Sequence, residues 1–103
     1  MRALPDEFVA YHSRSSRLEG PVSSGVLRWF QLWPLPEIYL NNERYHVADF
    51  APDLFGIGSD GGGEMLAFDA QNQLVMVPFV GMEMKYARLV APSWKAFEHV
   101  ISI

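Results

Sequence analysis

The chain has 103 residues, of which half are hydrophobic and 14% aromatic, and it carries a formal net charge of -4. That length gives one domain with a real core and leaves no room for a second. There is no cysteine, so disulfides, thiolate metal sites and thiol nucleophiles are excluded, which fits a reducing compartment such as the cytoplasm.

Residues 1–25 begin as a helix and continue as a loop. Pro5 suits a first helical turn, and Asp6 and Glu7 favour its positive end. Leu4, Phe8 and Tyr11 (or His12) form a short apolar stripe. The run from Ser13 to Gly25 is rich in Ser, Gly and Pro and reads as a connection. Val26 to Leu32 is β-rich and partly alternating, which predicts a strand ended by Pro34 and Pro36. Pro36 to Leu40 fits one helical turn closed by Asn41 and Asn42, and Tyr45 to Phe50 is irregular.

A short apolar segment, Leu54 to Gly58, leads into five glycines within positions 56–63, followed by Glu64 to Asp69. Leu74 to Val80 reads as a strand in which Pro78 argues for an edge or a bulge. Met82, Met84 and Tyr86 alternate with Glu83 and Lys85, predicting a further extended segment. Trp94, Phe97 and Ile101 fall at helical spacing behind Pro92 and predict an amphipathic closing helix. The fold class expected is α+β: one domain, a mostly antiparallel sheet, and a helix at each end, the last covering one sheet face.

The glycine cluster has two readings. Gly56, Gly58 and Gly61 spell G-x-G-x-x-G, with Glu83 roughly 20 residues on, as a dinucleotide site would have it. That site needs a strand before the glycines and a helix after them, whose N-terminus holds the pyrophosphate. The segment before contains Pro52 and two aspartates, and Gly62 and Gly63 would weaken a first helical turn by about 1 kcal/mol each. The alternative reading is a hairpin, with Gly58, Gly61, Gly62 and Gly63 turning the backbone sharply or laying it against a neighbour. Glu64 to Asp69 would then pair with Leu74 to Val80. We favour the hairpin and keep a small-ligand or nucleotide site on loop 56–63 as the alternative.

Other chemistry is sparse. His12, His46 and His99 do not sit at ligand spacing, so neither a metal nor another cofactor is expected. Ser59 lacks the glycine two residues before it that a nucleophile elbow needs, since Ile57 is there, and no catalytic residue stands out. Trp29, Trp33 and Trp94 have apolar neighbours and read as core, with Trp33 held nearest the surface by Pro34. The eight basic residues are scattered, which argues against direct nucleic-acid binding. No apolar run approaches the ~18 residues of a membrane span.

Taken in order, these segments resemble the SUKH superfamily, which includes fungal cell-wall-assembly regulators and many bacterial immunity proteins. Leu4-Pro5-Asp6-Glu7-Phe8 resembles the family's helix start. Leu27 to Trp33 with Glu37-Ile38 resembles its central strand and following turn. Ile57 to Glu64, continued by Leu66 to Asp69, resembles its glycine-rich hairpin, and Ala91 to Phe97 its closing helix. Family members carry a further helix ahead of the Leu-Pro segment, and this chain starts at that segment. The resemblance therefore implies a less covered core that a partner chain or a homodimer would fill. It also implies a cytoplasmic binding protein without catalysis, which neutralises a toxin, often a nuclease, by forming a complex. The surface expected to bind is the exposed side of the sheet, with Trp33, Glu37 and Tyr45, and Asp60 and Glu64 of the hairpin.

Overall fold

The computed structural model describes residues 2–15, 17–23 and 25–101. In chain order these form α1 (Asp6–Arg14), β1 (Glu19–Pro21), β2 (Trp29–Leu32), α2 (Leu35–Arg44), α3 (Val47–Phe50), β3 (Phe55–Ser59), β4 (Glu64–Phe68), β5 (Leu74–Pro78), a short 3-10 helix (Met84–Tyr86), β6 (Arg88–Ala91) and α4 (Trp94–Ile101). The six strands form one sheet in sequence order, each antiparallel to the next. This is the α+β architecture the pattern predicts.

One sheet face carries α1 and α4. Phe8 and Tyr11 from α1 and Trp94, Phe97 and Ile101 from α4 pack on Phe30, Ile57, Leu66, Phe68 and Leu74. The helical spacing seen in the sequence is thus the buried stripe of each helix. Each large side chain buried in this way contributes roughly 1.5–3 kcal/mol. Trp94 is fully buried, and its indole N–H donates to Glu98 Oε1 at 3.0 Å, so the polar end is satisfied. Arg14 reaches the other Glu98 oxygen at 3.3 Å and ties the two helices together.

The opposite face is not open, contrary to the expectation of an exposed sheet side. Val47 and Ala51, with Leu54 and Met82, cover Met65, Ala67, Val75 and Val77. The middle strands are therefore apolar on both faces, which is why β4 and β5 read as continuous rather than alternating runs. Both edges of this face stay open: at β6, Leu89 stands opposite Val75 and is exposed, and at the other edge lie β1 and β2. Trp29 lies there, 41% exposed, so it is not the core residue its neighbours implied.

Several local expectations change. Within the expected loop 13–25, Glu19 to Pro21 adds an edge strand, where a residue without an N–H is tolerated. The strand expected from Val26 begins at Trp29. Helix α2 runs ten residues instead of one turn, because Asn42 does not end it. The Asn42 amide donates to Ile38 O at 2.8 Å and to Gly56 O at 2.8 Å, and its oxygen accepts the Gly56 N–H at 2.7 Å. These bonds fasten α2 to β3. The irregular segment 45–50 holds α3, set off by His46 in a left-handed conformation. The extended run expected at 82–86 is a 3-10 turn after Gly81 at φ +73°, and the strand follows it. Met82 is buried while Met84 and Tyr86 are exposed, so their alternation marked a turn. Pro78 ends β5 opposite Glu64, beyond the last β5–β6 pair at Met76 and Arg88, and so owes that strand no N–H.

Candidate functional site

The glycine cluster is a β3–β4 hairpin. Asp60 Oδ1 accepts the N–H groups of Gly62 at 2.8 Å and Glu64 at 3.2 Å, and Ser59 Oγ accepts that of Gly61 at 3.0 Å. Such side-chain caps replace the backbone partners a turn lacks. Gly61 takes φ +81°, where a side chain is strained. Gly58 pairs with Leu32 of the neighbouring β2 in a close approach: an added Cβ would sit 2.3 Å from the Gln31 carbonyl oxygen. Because β4 follows the glycines directly, no helix begins at them, and the strand–glycine–helix arrangement of a dinucleotide site is not built. Glu83 precedes a 3-10 turn and pairs with Lys85 at 3.6 Å.

Beside this hairpin the chain gathers three aromatic rings. Trp33 leaves β2 with its N–H on Ile57 O at 3.0 Å. Its ring stacks on Tyr45, centroids 5.9 Å apart and planes at 17°, and Tyr45 meets Phe79 at 4.8 Å. Phe79 is held to the hairpin by its N–H on Gly63 O at 2.9 Å. Between the rings and Gly61–Gly63 lies a cleft of about 500 Å³, with Gln31 and Ser59 along its base. Trp29 flanks the turn, with its Cδ1 3.2 Å from where a Gly61 Cβ would stand.

The structure therefore brings together Trp33, Tyr45, Gly61, Gly62 and Gly63 of the residues the sequence singled out. The others do not line the cleft. Gly58 is buried beside β2, and Asp60 spends one oxygen on the turn. Glu64 has a buried Oε1 that lies 3.5 Å from an Arg88 nitrogen, and its side chain is only 25% exposed. Glu37 is exposed on the first turn of α2, away from the cleft. Sequence reasoning missed Phe79 and Gln31, and it weighed Ser59 only as a nucleophile and set it aside. Alternation along β2 was the available signal for Gln31, whereas Phe79 was hidden in an apolar run.

A second cleft, of about 600 Å³, lies between Tyr39, Leu54 and Phe55, with Glu43, His46 and Asp49 at its rim. Its basic group, Arg2, already donates to Asp53 O and Asn72 Oδ1, each at 3.1 Å, and to Asp69 O. Among the described residues, no three His, Asp or Glu side chains are grouped to hold a metal ion.

The fold defines an α+β domain whose most distinctive surface is an aromatic cleft walled by bare glycine backbone. No protein-family model matches the chain, and no curated protein matches it. No helix among the described residues is long and apolar enough to cross a membrane.

Proposed function

We propose that this chain is a non-enzymatic protein-binding domain of the SUKH kind, a cytoplasmic immunity protein that neutralises a cognate toxin by complex formation. A nuclease is the toxin class the resemblance points to. The observation that carries the reading is the half-exposed aromatic cluster Trp33–Tyr45–Phe79 around one concave surface. Trp and Tyr in such a setting are the residue types that dominate binding energy at protein interfaces. Trp29 extends the same surface.

The test is co-expression with the product of the neighbouring gene, followed by size-exclusion chromatography with light scattering. A stoichiometric complex is expected, with Tyr45→Ala weakening it roughly 30-fold, a 2 kcal/mol loss. Tyr45 is 43% exposed, so the variant should keep its fold. Absence of a complex, or full affinity in Tyr45→Ala, would refute the reading.

The cleft volume supports a second reading, a small-ligand site on the same glycine loop. It lies within the range of about 300–1,000 Å³ usual for ligand pockets. A thermal shift with nucleotides and no protein complex would favour it.

A further inference from the structure

Two of the three consecutive glycines are not required by the fold. Gly61 has a positive φ and lies against Trp29. Gly62 and Gly63 have negative φ. A Cβ at Gly63 would meet nothing within 4 Å, and one at Gly62 would make only an ordinary contact with Asp60. Any small residue would serve the turn at both positions. What the glycines do is keep one wall of the cleft free of side chains. Trp33, Tyr45 and Phe79 line the same cleft. A slot between peptide backbone and aromatic rings suits a flat group.

No charged side chain lines the slot itself, and two acidic residues stand next to lining residues. Asp60 sits in the turn on one side. Glu19, exposed on β1, stands directly across from Gln31 at the base, close enough for a carboxylate to reach a group seated over Gln31. Three of the cations have partners of their own: Arg44 at Asn41 Oδ1 at 3.1 Å, Arg88 at Glu64, and Lys85 at Glu83. Planar, positively charged and able to stack on Trp and Tyr, the guanidinium group meets all of these conditions.

We propose that this cleft receives an arginine side chain presented by the protein partner. The assignment rests on the protein-binding reading and adds the chemistry of the group that enters. The guanidinium stacks on the Trp33–Tyr45 surface, its stem passes over Gly62 and Gly63, and Glu19 and Asp60 supply the opposite charge.

A random dodecapeptide phage library panned against the full chain tests this, with Gly63→Ala as the counter-target. Enriched peptides should share an arginine. As synthetic peptides they should lose about tenfold or more in affinity when that arginine is replaced by citrulline, which keeps the shape and drops the charge. Gly63→Ala should bind at least about tenfold more weakly while melting no lower than the parent. Tyr45→Leu, which keeps apolar bulk but removes the ring, should lose the arginine peptides as well. An arginine-free consensus, indifference to citrulline, full binding by Gly63→Ala, or no enrichment over the counter-target would each overturn the assignment. Arginine-free peptides that still compete with a protein partner at this cleft would leave the protein-binding reading standing while removing the arginine. Failure of the co-expressed complex would remove both.

Discussion

Replacing Gly58 by Ala tests the packing on which the whole hairpin depends. The new Cβ would stand 2.3 Å from the Gln31 carbonyl oxygen and 2.9 Å from Leu32 Cα. Both are backbone atoms of β2, so no rotamer change relieves the clash, and the strand itself must move by about 1 Å to restore ordinary contact. That shift pulls on the Gln31–Ser59 and Leu32–Gly58 pairs and on the Trp33 N–H bond to Ile57 O. Overpacking costs about 1–3 kcal/mol, and each weakened hydrogen bond about 1 kcal/mol. A loss of about 3–4 kcal/mol follows, which lowers the melting temperature of a domain this size by roughly 15–25 °C. Gly61→Ala should fall between, losing about 1–2 kcal/mol to its positive φ. Gly63→Ala should be neutral or gain up to about 1 kcal/mol by restricting the unfolded chain. Thermal unfolding followed by circular dichroism, with urea midpoints as a check, gives the ranking. A Gly58→Ala protein melting within about 3 °C of the parent, or one no worse than Gly63→Ala, would refute the argument.

Asn42→Ala should cost about 2–4 kcal/mol, because it leaves the Gly56 N–H and C=O without the side chain that pairs them; a urea-derived loss below about 1 kcal/mol would contradict the fastening of α2 to β3. Asp60→Ala should cost about 1 kcal/mol, since its two accepted bonds belong to a partly solvated turn, and amide exchange should accelerate first at Gly62 and Glu64. Glu19→Lys should leave stability within about 0.5 kcal/mol. It should slow association with a basic partner measured by stopped flow, with the difference shrinking at high salt.

What could be read from the sequence follows from periodicity. Phe8 and Tyr11, and Trp94, Phe97 and Ile101, repeat at helical spacing, and both stripes are buried. The β4–β5 pairing was equally legible, because Asp69 to Gln73 separates two apolar runs and Asp69 Oδ1 caps the turn through Gln71 and Gln73. What escaped depended on partners distant in sequence. Helix α2 persists through two asparagines because one of them bonds to Gly56, fourteen residues away. Trp29 looked like core because composition cannot tell the covered from the open end of a sheet face. The cleft was half legible: Trp33 and Tyr45 drew notice singly, but their stacking and the arrival of Phe79 depend on how β5 ends against Gly63.

The hairpin divides its residues between two tasks, and the division determines which substitutions are informative about binding. Asp60, Gly58 and Gly61 are committed to the turn and to the close approach of β2. Glu64 is committed to Arg88. Reversing either acidic charge would therefore disturb structure as well as electrostatics. Asp60→Lys removes a cap, and Glu64→Lys sets a second cation beside Arg88, so weaker binding in either variant would have two causes. Gly62 and Gly63 carry no such burden, and Glu19 lies on an edge strand outside the turn. A binding surface is best probed where the fold is indifferent to the residue. Here that indifference coincides with the one wall of the cleft that has no side chains, so steric fill at Gly63 and charge at Glu19 separate shape from electrostatics without unfolding the protein.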